Sequence, residues 1–175
     1  SKEFILHSEN KSFIEKEGSL FSADGKKLLH FCDKNYGEEG VYEIPEEVTS
    51  LGSYAFCGAK VKEVVLNDNI VEIPWGCFEE ATIQRIDLNK VRKLEYRSFC
   101  YCSSLEELRI RENGVSIGSQ AFSSTALKYL YLPKGTKLEE SGIFCSKSLE
   151  TVLMDENIVH ADDKERLELG LHLQT

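Results

Sequence analysis

The chain has 175 residues, a formal net charge of -9 and a hydrophobic fraction of 41%. That is one domain's length, with ample apolar material for a core. The acidic balance disfavours nucleic acid, whose phosphates need a basic stripe, and disfavours insertion at anionic membrane surfaces.

Residues 1–40 form the first block. Ser1-Lys2-Glu3-Phe4 lacks the basic region and long apolar stretch of a signal peptide. Phe4-Ile5-Leu6 and Phe13-Ile14 read as short strands. Gly18 to Ala23 and Lys26 to Phe31, joined by Asp24-Gly25, predict a β-hairpin whose two turn residues both take positive φ. Asn35 to Gly40 is a loop by composition. This block is expected to cap the open end of the stack that follows.

Residues 41–158 are organised by a repeat. Val61, Ile83, Leu105, Leu127 and Leu149 are 22 residues apart, and each opens an apolar-x-x-apolar-x-apolar line. Tyr42-x-Ile44-Pro45 fits the same frame one line earlier. A second series, Phe56, Phe78, Phe99, Phe122 and Phe144, recurs at intervals of 22, 21, 23 and 22. Ala55, Cys77, Ser98 and Ala121 put a small residue before four of these, which predicts a close backbone approach there. A line of this length cannot bury its own Leu, Ile and Phe, but stacked lines can. The period therefore predicts a mainly β, curved right-handed solenoid of about six turns with a parallel strand ladder. Residues such as Ile86 and Leu88 point in, and Arg85 and Asp87 point out. The third line is one residue short before Phe99 and one long after it, so an altered turn is expected between Asn89 and Glu95.

Ile44-Pro45-Glu46-Glu47-Val48-Thr49-Ser50-Leu51-Gly52-Ser53-Tyr54-Ala55-Phe56 is the fullest copy of the motif. With Phe99-Cys100-Tyr101-Cys102-Ser103-Ser104-Leu105 and the upstream hairpin, it resembles the BspA-like (Treponema-type) leucine-rich repeats over roughly residues 18–158. The resemblance implies a protein-binding or adhesion module, with an extracellular or cell-surface setting and a host or matrix protein as partner. It brings no catalytic residues. The alternative is a structural spacer or targeting arm of a larger surface protein. Most leucine-rich repeats carry Asn or Cys at the turn after the strand. Asn69, Asn113 and Asn157 hold that place in alternate lines, and are expected to bond backbone there.

Residues 159–175 read as a C-terminal cap. Asp162-Asp163-Lys164-Glu165 could start a short helix, and Leu167, Leu169, Leu171 and Leu173 alternate as in a half-buried strand.

No nucleotide, metalloprotease or nucleophile-elbow motif occurs. Neither His30 with Cys32 nor Cys100 with Cys102 has a second pair to complete a metal site. No enzyme activity, cofactor or metal is expected. Cys57, Cys100 and Cys145 follow ladder phenylalanines in alternate lines, too far apart to bridge. The six cysteines are expected as free thiols, mostly small buried hydrophobes. No apolar run approaches the roughly 18 residues of a membrane helix, and a monomer is expected. Trp75 is expected as a partly buried packing residue.

That leaves the outward rows of the strand ladder. Glu63, Arg85 and Glu107 alternate in sign across neighbouring strands, as do Asp87 and Arg109, and pairing between them is expected. Arg109, Arg111, Tyr129, Tyr131 and Leu153 form the candidate partner-binding residues, since Tyr and Arg are enriched at protein-contact hot spots. Glu43, Glu63, Asn67 and Asp87 are expected to steer.

Overall fold

The computed structural model describes residues 4–139, 148–155 and 159–160. Among the described residues the chain is mainly β and contains no helix. The cap strands are β1 (Phe13–Lys16), β2 (Ser19–Ser22) and β3 (Lys27–His30), paired antiparallel in that order. The hairpin is present, but its turn differs from the expected one. Gly25 has φ 72°, whereas Asp24 is not left-handed. The Gly25 N–H donates to the Ser22 carbonyl at 2.8 Å. The Asp24 carboxylate accepts from the Ser22 hydroxyl and the Lys26 N–H. Those local side-chain bonds favour a longer turn over the two-residue one. Phe4–Leu6 forms no strand; Phe4 sets its ring edge-on to His30 instead.

The repeating turns lay down two parallel ladders. The first holds β4 (Val41–Glu43), β6 (Glu63–Val65), β8 (Arg85–Asp87) and β10 (Glu107–Arg109), and then, as a separate pair, β12 (Tyr129–Leu132) and β14 (Thr151–Met154). The second ladder was not anticipated. It holds β7 (Glu72–Ile73), β9 (Lys93–Leu94), β11 (Ser116–Ile117), β13 (Lys137–Leu138) and β15 (Val159–His160). At its start, β5 (Ser50–Leu51) pairs parallel with β3, so the hairpin is bonded to the first turn, while β5 and β7 adjoin without sharing a ladder. The expected tail helix and the leucine alternation beyond residue 160 lie outside the described residues, as do Phe144, Cys145 and Asn157.

The third side of each turn is a corner built around a phenylalanine. The residues two before and two after it are left-handed: Tyr54 and Gly58, Gly76 and Glu80, Arg97 and Tyr101, Gln120 and Ser124. For a side chain other than glycine such a backbone costs about 1–2 kcal/mol. Hydrogen bonds to the next turn offset that cost. Phe56 donates to Cys77 O at 2.8 Å, Phe78 to Ser98 O at 2.8 Å and Phe99 to Ala121 O at 2.9 Å. The left-handed residues flanking Phe56, Phe78 and Phe99 do the same, as in Tyr54 to Trp75 O and Gly58 to Glu79 O. All these corner bonds run from one turn to the turn after it. The small residues Ala55, Cys77, Ser98 and Ala121 are fully buried at these approaches.

The phenylalanines stack along the axis. Phe56–Phe78 ring centroids are 4.8 Å apart at 10°, Phe78–Phe99 5.1 Å at 3°, and Phe99–Phe122 6.0 Å at 18°. Phe31 adds a rung at the capped end, 4.9 Å from Phe56, and its N–H donates to Ala55 O. Tyr36 and Tyr42 close over Phe31. Burial pushes the Tyr42 hydroxyl's pKa upward.

The altered turn falls in the expected interval. Two residues separate Leu88 from Val91, where three separate Leu66 from Ile70. Asn89 closes the shortened corner at φ 46°, its N–H bonded to the Asp87 carboxylate at 3.0 Å. The asparagine expectation needs correction. Asn69 does donate to Glu46 O, but Asn113 is exposed. The buried corner asparagine is Asn67, only 6% exposed. It donates to Pro45 O at 2.7 Å and Val48 O at 3.0 Å, and accepts from the Asn69 N–H.

Candidate partner-binding face

The outward positions of the first ladder carry the candidate site. Strand pairing fixes them, because every second residue leaves the core. In β12, Leu130 and Leu132 are buried, while Tyr129 and Tyr131 are 65% and 49% exposed. The β12–β14 register sets Tyr131 opposite Leu153, itself 41% exposed, and Tyr129 opposite Thr151. The Tyr131 hydroxyl lies 3.5 Å from an Asp155 carboxylate oxygen. Three of the five predicted residues therefore share one small patch.

Arg109 and Arg111 come from β10 and the residues just after it, next to β12. β10 and β12 adjoin but do not share a hydrogen-bonded ladder. The one-residue expansion between Ile110 and Val115 follows directly on this seam. The second ladder runs through the same turns unbroken, β9 to β11 to β13.

The expected charge pairing is half right. Arg85 Nε reaches the Glu63 carboxylate at 2.6 Å. Asp87, however, pairs diagonally with Arg111, whose Nε lies 2.7 and 2.9 Å from its two oxygens. The Arg111 guanidinium holds the Asp87 carboxyl below its usual range, aided by the Asn89 N–H. Arg109 stands across the ladder from Asp87 in register, yet among the described residues it forms no ion pair. Nor does Glu107 pair with Arg85. So Arg111 is committed within the fold, and Arg109 keeps its guanidinium exposed beside Tyr131's strand. Glu63, Val65, Asp87, Asn89 and Arg111 line a shallow open depression of about 400 Å³ in the acidic half. Asn67, expected to steer there, is buried in the corner and cannot.

A second aromatic group was missed. Trp75 is 52% exposed, more than its expected packing role implied, and lies 5.3 Å from Tyr96. Tyr54 and Tyr101 are also exposed near by, and Arg97 sits over Tyr96 and Tyr101 while pairing with Glu79 at 2.6 Å. The signal was present: Tyr54, Trp75 and Tyr96 occupy adjacent lines at intervals of 21.

Among the described residues, no three His, Cys, Asp or Glu side chains group as a metal site would require. Among the same residues no helix is long and apolar enough to cross a membrane. Cys32, Cys77, Cys100 and Cys102 are buried free thiols and Cys57 is an exposed one. The Cys102 thiol donates to Phe78 O at 2.9 Å.

A family model described as BspA type leucine rich repeat region matches residues 38–160 in six copies. No curated protein matches the chain. Among solved structures, the pneumococcal vaccine antigen PcpA is similar, with a TM-score of 0.51 and 24% identity over 87% of this chain and 33% of that one. A leucine-rich repeat protein from Bacteroides ovatus is similar at a TM-score of 0.54 and 20% identity, over 68% of this chain and 38% of that one. The chain thus spans between 33% and 38% of the length of these neighbours, and the likeness is one of fold.

Proposed function

The chain belongs to the BspA-type leucine-rich repeat family, and from that premise we propose that it is a non-catalytic protein-binding or adhesion module, working in an extracellular or cell-surface setting. The surface setting is in keeping with the vaccine-antigen role named for one structural neighbour. The partner is a protein, met by the outer face of the first ladder around Arg109, Arg111, Tyr129, Tyr131 and Leu153. The observation that carries this reading is the exposed Tyr129–Tyr131–Leu153 patch on paired strands, beside an arginine with no ion pair among the described residues. Side chains on paired strands lose little freedom on binding, and tyrosines offer large area for few rotors. Arg109 contributes five donors in a planar fork. Arg111 contributes only by exchanging Asp87 for a partner carboxylate.

The test is the double change Tyr129→Ala with Tyr131→Ala, in surface binding against a panel of matrix proteins. The expected result is at least tenfold weaker binding, about 1.4 kcal/mol, with Tm nearly unchanged. Unaltered binding by a folded double variant overturns the placement. The spacer reading draws on a different observation, the internal pairing of Glu63 with Arg85 and of Asp87 with Arg111. Absence of binding by both proteins across the panel favours it.

A further inference from the structure

We propose, resting on the reading of the outer face given above, that the partner docks through an extended segment with an acidic and a basic side chain two residues apart. The acid sits on Arg109 and the base on Glu107. These two residues flank the buried Leu108 on β10, and both are exposed. Neither forms an ion pair among the described residues. The charges beside them are already matched: Glu63 is taken by Arg85 at 2.6 Å, and Asp87 by Arg111 at 2.7 and 2.9 Å. Glu63, Arg85, Asp87, Glu107 and Arg109 line one shallow depression of about 230 Å³. That lining counts three acids against two bases. With Glu63, Arg85 and Asp87 engaged, the unmatched remainder is one carboxylate and one guanidinium, on a single strand.

Three features select the occupant. The first is size. The depression is smaller than the roughly 300–1,000 Å³ of small-molecule pockets, so it takes the ends of side chains from a segment crossing it. The second is sign. A segment charged in one sense throughout would satisfy one of the two free groups and be repelled by the other. The third is spacing. Alternate residues of a strand stand about 6.6–6.8 Å apart, so an extended segment laid along β10 presents its own alternate side chains in step with Glu107 and Arg109. A helix does not: residues two apart point to different faces, and opposite charges four apart engage each other. Tyr129 and Tyr131 follow Glu107 and Arg109 by 22 residues, on the adjoining β12. They flank the segment on the side away from the depression and supply its apolar contact.

The experiment selects a displayed library of random linear peptides on the wild-type chain and measures each recovered peptide singly by fluorescence anisotropy. Peptides that weaken at least tenfold with Tyr129→Ala/Tyr131→Ala report on this face. Those peptides should carry Asp or Glu two residues from Lys or Arg. Glu107→Gln and Arg109→Gln should each weaken them about three- to fivefold at low ionic strength, the upper range for an exposed ion pair. The difference should shrink in high salt, and far-ultraviolet circular dichroism should not change. The double reversal Glu107→Lys with Arg109→Glu should weaken the same peptides and bind versions with the two charges exchanged. A purely structural role would not give that rescue. Face-dependent peptides that lack the charge pair, or that ignore both Gln variants, overturn this inference and leave the reading of the face in place. So does a folded double reversal that fails to prefer the exchanged peptides. Recovery of no peptide that depends on the tyrosines overturns the reading of the face, and this inference with it.

Discussion

Phe78→Ala is the sharpest probe of the stack. Phe78 is fully buried between two nearly parallel rings, Phe56 at 4.8 Å and Phe99 at 5.1 Å. Truncation to Ala removes roughly 100 Å² of buried apolar area, or about 2.5 kcal/mol at the usual transfer coefficient. Two stacked pairs disappear as well, each worth about 0.5–1.5 kcal/mol. The corner backbone is tied to both neighbouring turns, so the gap cannot collapse and the upper part of the 3–5 kcal/mol range for such truncations applies. In a chain of this size 1 kcal/mol moves Tm by about 2–4 °C, so the expected drop is about 8–16 °C. Phe122→Ala, whose described stacking neighbour Phe99 lies at 6.0 Å, should also cost about 3–5 kcal/mol but less than Phe78→Ala. Urea unfolding followed by circular dichroism measures both. A loss under about 1.5 kcal/mol for Phe78→Ala, or a larger loss for Phe122→Ala, would refute the idea that the stack is one continuous column.

Ser98 is fully buried and its hydroxyl finds no partner among the described residues; since Ala holds the matching place at 55 and 121, Ser98→Ala should raise Tm by a few degrees, and calorimetry showing a fall would contradict that. In native protein a thiol reagent should modify Cys57 first, slowly at neutral pH because burial and the nearby Glu79 and Glu80 push its pKa up. Cys32, Cys77, Cys100 and Cys102 should react only on unfolding, and denatured, unreduced protein should take six labels by mass. The Asp87–Arg111 pair holds the folded carboxyl's pKa below its unfolded value; its contribution is present above about pH 4 and is lost as pH falls through the folded pKa. Wild type should therefore lose slightly more Tm between pH 6 and pH 3 than Arg111→Ala does, by a degree or two for so exposed a pair; equal losses would show that the pair is not made in solution.

The first ladder was legible because each of its strands carries a repeated in-and-out alternation, as in Tyr129 to Leu132. The second ladder was not, because its strands are two residues long and send one side chain inward each, Ile73 or Leu94, too few to show a period. The corners hid for another reason. Left-handed backbone is ordinarily announced by glycine, yet here Tyr54, Glu80, Arg97 and Tyr101 adopt it, held by bonds to the next turn that no local motif encodes. The candidate face was legible in which residues point outward. Its charge pairing was not, since the diagonal reach from Arg111 to Asp87 depends on the direction each long side chain takes, which the outward rows alone do not fix. Asn67 was misplaced because its row position is outward by count, while its amide finds two carbonyls in the corner.

The one-way bonding of the corners gives the solenoid a head and a tail of unlike chemistry. Seen from the capped end, each corner offers carbonyl oxygens; seen from the other, it offers N–H groups. Phe31 satisfies an acceptor at the head with its own N–H, and whatever follows the Gln120–Ser124 corner has to supply acceptors in return. Two uncapped heads would meet acceptor to acceptor and two tails donor to donor, so neither could close a symmetric pair through these groups. Only head against tail is complementary, and that contact leaves a free end to repeat it, which is the geometry of an open filament. The Phe31 cap is therefore a stop signal as well as a lid: its N–H occupies the Ala55 carbonyl that a second copy's corner would otherwise meet.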